Sequence, residues 1–181
     1  MREPREHLEH DGVHLRRWRT GDAAAVLRVV RDSLAEFEPW FPWATSDYGL
    51  RDAEGFVATA LANWESGKAH GYAIVDADGQ VIGTANLMAR IGPGGLEVGY
   101  WLDSAHVGEG IMRRAVRAVT AEAFRIGATH VEIHHDENNL RSRAVPESLG
   151  FTPVDRYRSA DERISPRRTG YNLVWRRGRA G

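Results

Sequence analysis

The chain has 181 residues, no cysteine, and 24 basic against 25 acidic side chains, for a formal net charge of −1. The length fits one domain, and the missing thiols exclude disulfides, thiolate metal sites and a cysteine nucleophile. The charge lacks the broad basic field of a general nucleic-acid binder, no apolar run approaches the roughly 20 residues that span a bilayer, and the charged opening MREPREHLEHDG has no leader-like apolar stretch, so a soluble, cytoplasmic protein without a membrane partner is expected.

The opening segment reads as a tail. Val13 to Arg19 alternates loosely and suits an edge strand. Thr20-Gly21-Asp22 is a helix-start signal with Asp22 as N-cap, and Ala23 to Leu34 follows at helical spacing. Pro39-Trp40-Phe41-Pro42-Trp43 forbids a regular helix. Arg51 to Glu65 is helical again, with Phe56, Val57, Ala60, Leu61 and Trp64 on one stripe and Gly67 past its end. The period then changes to that of strands over His70 to Val75, Gln80 to Met88 and Leu96 to Leu102, a meander with turns at Asp76 to Gly79 and Gly92 to Gly95. Met112, Ala115, Val116, Val119, Ala123 and Ile126 line a strong helix stopped by Gly127. Thr129 to His135 is a strand, and Asn139 to Leu149 a short helix. Phe151 to Tyr157 and Gly170 to Trp175 are closing strands. The order β-α-α-β-β-β-α-β-α-β-β predicts one α/β (α+β) domain with a mixed sheet. Charge is uneven along the chain. Residues 31–54 carry six acids and two arginines, while residues 163–181 carry six arginines and no acid.

Three segments carry chemistry. Val107-Gly108-Glu109-Gly110-Ile111-Met112 joins a strand to a helix. Its glycines permit a tight turn, and a helix start presents N–H groups to phosphate oxygens. It matches neither a P-loop nor a dinucleotide fingerprint, and a tight loop without ligand fits it equally well. Asn139-Leu140-Arg141-Ser142, leading to Leu149-Gly150-Phe151, reads alone as a helix cap. In Leu96-Glu97-Val98-Gly99-Tyr100-Trp101-Leu102, alternation puts Glu97, Gly99 and Trp101 on one face. Glu97 then either faces solvent at an edge or requires a partner or a task.

Together, in this order, the three segments resemble the GNAT superfamily of acyl-CoA-dependent N-acetyltransferases. The segment Phe37-Glu38-Pro39-Trp40-Phe41-Pro42-Trp43 is similar to the Pro-Trp-x-Pro-Trp loop of its RimJ/RimL-type branch, which acetylates N-terminal α-amines of ribosomal proteins and includes members acting on other amines. Glu97 to Leu102, and Ser142-Arg143-Ala144-Val145 running into Leu149-Gly150-Phe151, match the same branch.

The resemblance spans Val13 to Trp175 and implies a single GNAT domain over residues 12–176, between an N-terminal tail (1–11) and a basic tail (177–181). It implies a mostly antiparallel twisted sheet of about six or seven strands, splayed between the fourth and fifth, with about four helices. Acetyl-CoA is the implied cosubstrate, and coenzyme A the product. Tyr100, Trp101 and Leu102 would contact pantetheine in the splay. Val107, Gly108, Glu109, Gly110, Ile111, Met112 and Arg113 would hold the pyrophosphate, with Asn138, Asn139 and Ser142 also on the cofactor. Val107 and Met112 depart from the usual pattern, and Met112 is bulky beside phosphates. Trp40, Phe41 and Trp43 would wall the amine site or else plug the space between the first helices. Glu36, Glu38 and Asp47 would draw a cationic amine or serve as surface charge. A homodimer is implied as well.

The implied reaction is direct attack of a neutral amine on the thioester. An α-amine with pKa of about 8 is about one-tenth neutral at pH 7, whereas a lysine at about 10.4 almost never is. Glu97 is the implied base, directly or through water, or it orients the ammonium and takes the proton late. Ser142 is the implied hydrogen-bond donor to the leaving thiolate. A larger acyl donor, such as succinyl-CoA, and an acyl-CoA sensor without turnover are the alternatives. Pro146 removes a helix bond to the Ser142 carbonyl, so a kink or a late helix start is expected. His134 and His135 point to opposite faces and so do not share a metal easily, and no metal is expected. Arg176, Arg177 and Arg179 read as a solvated tail.

Overall fold

In the computed structural model, residues 2–161 and 165–179 are described. Among them eight strands form one sheet in the order β1-β2-β3-β4-β5-β6-β8-β7. The strands are β1 (His7–His10), β2 (Val13–Arg17), β3 (Ala69–Val75), β4 (Val81–Met88), β5 (Gly95–Leu102), β6 (His130–Asp136), β7 (Thr152–Arg158) and β8 (Tyr171–Gly178). Five helices accompany them: α1 (Ala23–Asp32), α2 (Leu34–Phe37), α3 (Leu50–Ser66), α4 (Ile111–Ile126) and α5 (Leu140–Ser148). Every neighbouring pair is antiparallel except β5 and β6, which α4 connects as parallel strands.

The two sheet faces follow from strand alternation. On one, Leu96, Val98, Val131 and Ile133 bury against Ala115, Val116, Val119 and Ala123 of α4. On the other, Trp101 packs with Trp18, Phe37 and Phe56, in the cluster that holds Val26, Val29 and Val30 of α1. The α4 stripe read from sequence is therefore the buried one.

The parallel pairing of β5 and β6 is short. It covers Gly95↔His130, Leu96↔Val131 and Glu97↔Glu132. Beyond Glu97, β5 stays paired only to β4, and beyond Glu132, β6 stays paired only to β8. The splay predicted between these strands is present, and its edges carry backbone groups with no partner across the gap.

Several expectations change. His7–His10 is a strand paired to β2 rather than a tail, which makes the sheet eight-stranded. The segment before it is also tied down. The Arg2 amide donates to the Ile126 carbonyl at 2.7 Å, and the Arg5 amide to Glu122 at 2.7 Å. Tyr72 Oη donates to the Arg5 carbonyl at 2.8 Å, and Arg125 to that of Glu3 at 2.7 Å. At the other end, Arg176 and Arg177 lie within β8, Arg176 pairing with Glu132 and Arg177 reaching the Leu149 carbonyl, so they are structural rather than a solvated tail. Residues 1, 180 and 181 of the expected tails lie outside the described residues.

Asp22 does not cap α1 with its side chain. It accepts from the Arg19 amide at 2.8 Å and from both Arg16 Nη atoms at 2.8 Å. Burial opposes its charge, but the Arg16 and Arg19 hydrogen bonds outweigh that and hold its carboxyl below the ordinary range. A depressed native pKa stabilises the fold above the unfolded value near ~3.9, and that contribution is lost as pH falls through the native value. Asp22→Asn should therefore cost about 3 kcal/mol at pH 7 by denaturant unfolding, with the difference from wild type shrinking towards pH 3; a pH-independent difference would contradict the ion-pair account.

Candidate active site

At the mouth of the splay, Gly110 caps α4 with φ of 71°, and Gly108 has φ of 95°. A side chain is strained at such angles, so glycine spacing lets the chain turn into the helix. The first N–H groups of α4 have no intrahelical acceptor. A cavity of about 670 Å³ opens there, lined by Tyr100, Trp101, Leu102, Val107 to Arg113, Asn139 and Ser142. Met112 also packs partly against the core beneath α4. Arg114 turns away to the Asp11 and Glu109 carbonyls. Asn138 does not line this cavity, and its amide donates to the Arg167 carbonyl at 3.2 Å.

A second cavity, of about 400 Å³, adjoins the first and shares Trp40, Phe41, Tyr100, Asn139 and Ser142 with it. It also contains Arg90, Glu97, His134, Asp136, Asp161 and Arg168, three carboxylates against two guanidiniums among the described residues. Trp40 and Phe41 thus stand between the two spaces. Trp43 lines neither, is 40% exposed and stacks on Phe41 at 5.2 Å. Of the nearby acids, Glu36 pairs with Arg141 at 2.6 Å across the first cavity, linking the α2 segment to α5. Asp47 accepts from Thr45 at 2.5 Å.

Glu97 is 5% exposed, which settles its place inside the protein. Both its oxygens accept from Arg90, at 2.7 Å from Nε and 2.5 Å from Nη2. The hydrogen bond to Glu97 outweighs desolvation and raises the Arg90 pKa. Arg90 is a partner the sequence reading missed. The hairpin register was its signal, because Met88 pairs with Glu97 and residue 90 therefore lies just beyond it.

Beside Glu97, at the last paired position, stands Glu132 on the same face. Glu132 accepts from Arg176 Nε at 2.7 Å and contacts His134 Nε2 at 2.8 Å. Burial raises its pKa, but the His134 and Arg176 contacts prevail, so its carboxyl is held below the ordinary range. His135 is on the opposite face, stacked on Trp175 and bonded to its indole N–H at 2.9 Å.

Helix α5 begins at Leu140, with Asn139 Oδ1 accepting from the Ser142 amide at 3.1 Å. It runs through Pro146 to Ser148, so the expected late start is not found. Pro146 has no N–H to give the Ser142 carbonyl. Tyr100 Oη takes that place, donating to the carbonyl at 3.0 Å and lying 3.0 Å from Ser142 Oγ. Burial raises the Tyr100 phenol pKa, against the Ser142 contact, and keeps it a donor. One tyrosine therefore fixes the backbone and the hydroxyl of Ser142 across the gap from β5.

A sheet opened at its one parallel pair, with a glycine-started helix at the mouth, is the architecture of an acyl-CoA-type transferase. The sequence matches the GNAT acetyltransferase domain over residues 13–152, and the chain belongs to that family. A stretch of 78 residues is 42% identical to the probable N-acetyltransferase YjcK of Bacillus subtilis (strain 168), covering 41% of this chain. The match spans only 42% of that curated relative's length. The fold is shared with RimL, a ribosomal L7/L12 α-N-protein acetyltransferase solved with coenzyme A (TM-score 0.84, 21% identity, 96% of this chain and 98% of that one). It is shared with Mycobacterium smegmatis RimJ in complex with CoA-disulfide (TM-score 0.80, 21% identity, 95% and 85%). It is also that of the microcin C7 self-immunity acetyltransferase MccE in complex with acetyl-CoA and AMP (TM-score 0.82, 18% identity, 93% of each chain).

The Tyr100–Pro146 arrangement is testable by a double-mutant cycle. Tyr100→Phe should cost about 1–3 kcal/mol by leaving the Ser142 carbonyl unpaired. In a Pro146→Ala background, where the new amide serves that carbonyl, the cost in urea unfolding should fall below about 1 kcal/mol.

Proposed function

We propose that the chain transfers an acetyl group from acetyl-CoA to a primary amine, the α-amine of a protein or peptide N-terminus or that of a small molecule. Transfer is direct, in a ternary complex, since no cysteine is available to carry the acyl group. The carrying observation is the pair of adjoining cavities that share Tyr100 and Ser142. One has the α4 N-terminus for phosphate oxygens and the unpaired strand edges for an amide-rich chain. The other is lined by an excess of carboxylate that suits a cationic amine.

Acetyl-CoA supplies an activated acyl group. Val107 to Arg113 hold its phosphates mainly through backbone N–H groups, and Tyr100, Trp101 and Leu102 flank the arm that enters the splay. Asn139 and Ser142 close that arm from α5. Ser142 Oγ–H, held at Tyr100 Oη, rotates from it to donate to the sulfur as charge develops there. Glu97 holds the incoming ammonium. Trp40 and Phe41 wall the approach and keep water from the reacting atoms. The likeness to RimL, a ribosomal L7/L12 α-N-protein acetyltransferase, supports an N-terminal peptide acceptor; a homodimeric state and a cytoplasmic location belong to the same proposal.

Thiol release from acetyl-CoA, with Ser- and Ala-initiated hexapeptides and small amines, tests this reading. Ser142→Ala should lower kcat about 10- to 100-fold, the weight of a hydrogen bond to a charged group. Its Kd for coenzyme A should stay within twofold. Glu97→Gln should lower kcat/KM for the amine with equally small effect on coenzyme A. Tight coenzyme A binding without thiol release for any amine would instead identify a sensor, and turnover of succinyl-CoA over acetyl-CoA a larger donor.

A further inference from the structure

His134 sits in the second cavity beside Glu97, where its Nδ1 lies 4.0 Å from Glu97 Oε2 and 3.1 Å from Tyr157 Oη. Its Nε2 lies 2.8 Å from Glu132 Oε2. For a neutral imidazole these contacts favour one tautomer. A buried carboxylate flanked by Arg176 is an acceptor only, so Nε2 must be the donor. Nδ1 is then the acceptor, and Tyr157, whose Oη accepts from Asn172 Nδ2 at 3.2 Å, donates its O–H to it. Hydrogen bonds thus run one way, from Asn172 through Tyr157 to Nδ1, and from Nε2–H to Glu132.

The charge arrangement agrees. Two carboxylates, Glu97 and Glu132, stand side by side on the last paired residues of β5 and β6. Two guanidiniums, Arg90 and Arg176, already occupy them. Each of these two carboxylates thus has its own guanidinium and needs no charge on the imidazole, so Nδ1 keeps a basic lone pair, covered by the Tyr157 hydroxyl. A proton arriving at Nδ1 would sit between Glu132 and Glu97. Glu97, in contrast, has both oxygens engaged by one guanidinium, which suits it to holding an ammonium rather than to gaining a proton. The charged and titratable groups facing His134 and its cavity are Glu132 and Asp136 on its own strand, Glu97 and Arg90 from β5 and its preceding loop, Tyr157 on β7, Asp161 and Arg168 between β7 and β8, and Arg176 on β8.

We propose that His134, acting through the Tyr157 hydroxyl bonded to its Nδ1, is the base that deprotonates the attacking amine, with Glu132 fixing its tautomer and Glu97 anchoring the ammonium. The inference rests on the acetyl-transfer reading and names the proton acceptor within it. The ammonium gives one proton to Tyr157 Oη as the tyrosine's own proton moves to His134 Nδ1, and the neutral nitrogen forms a bond to the thioester carbonyl carbon. The carbon–sulfur bond breaks, the sulfur leaves as the free thiol with the second proton that nitrogen loses, and His134 returns its proton to water. Imidazole suits this task because one nitrogen can accept a proton while the other stays bonded to a carboxylate that orients the ring.

Two measurements test it. Long-range proton–nitrogen NMR of the uniformly labelled full chain, alone and with coenzyme A, reads the His134 tautomer from pH 5.5 to 9, with His134→Gln giving the assignment. The proposal requires the Nε2–H form above its titration; an Nδ1–H form, or an imidazolium throughout that range, overturns it. Kinetically, His134→Gln should lower kcat with the Ser-initiated hexapeptide about 100-fold or more at pH 7. Its Kd for coenzyme A should stay within twofold, and its deficit should narrow as pH rises and the amine deprotonates unaided. Glu132→Gln, which frees the tautomer, should give a smaller loss with a shifted acid limb. An unchanged His134→Gln rate, or a deficit constant with pH, removes His134 as the base while leaving acetyl transfer intact. If the wild-type chain turns over no amine, the transfer reading itself falls, and the tautomer alone decides whether His134 is poised as a base.

Discussion

The early end of the β5–β6 ladder is the constraint on which the site depends. Three residue pairs hold the sheet together there, and the last of them is Glu97 opposite Glu132. From that point each strand keeps its outer neighbour and loses its inner one. Unpaired backbone is costly when dry, so the gap offers free donors and acceptors of the kind a further strand would otherwise meet. Side chains at its edges inherit their direction from strand alternation. Glu97 and His134 go to one face, and Tyr100, three residues along β5 from Glu97, goes to the other, where it meets Ser142 of α5.

Two devices keep that opening in shape. Arg90 and Arg176 neutralise the carboxylates at its closed end, from the loop before β5 and from β8. Tyr100 spans it to α5, meeting the carbonyl that Pro146 leaves without a helix partner. The proline is thus one half of a substitution of partners: a helix bond inside α5 is exchanged for a bond across the gap. That exchange joins local helix chemistry to the placement of the Ser142 hydroxyl.

Much of this was legible in the sequence. The α4 stripe, the meander around Asp76 to Gly79, and the α3 stop at Gly67 are read from period and punctuation, because burial on one face imposes the period. Glu97 stood out because a carboxylate inside an apolar strand needs a reason. The rest depended on contacts between distant segments. Arg176 looked like tail charge until β8 paired it with Glu132, 44 residues away. His134 was legible only as half of an adjacent histidine pair; its contacts with Glu132 on β6 and with Tyr157 on β7, itself bonded to Asn172 on β8, come from the folded sheet. Asp22 looked like a cap because its side chain suits one, but a guanidinium six residues before it competed successfully. His7–His10 has no pattern that separates an edge strand from a charged tail, since half of it faces water.

That N-terminal strand bears on how the molecule can be handled. Glu122, almost wholly buried, takes a hydrogen bond from the Arg5 amide, and Arg2 meets the last residue of α4. The start of the chain is thereby anchored at the C-terminal end of α4, while the glycine mouth lies at its other end, about 24 Å away for a helix of 16 residues. A fluorophore or surface linker placed at the N-terminus would report from, or tether, the side remote from the cofactor mouth. A version trimmed to residue 12 would strip a buried carboxylate of its backbone donor and turn β2 into a bare sheet edge.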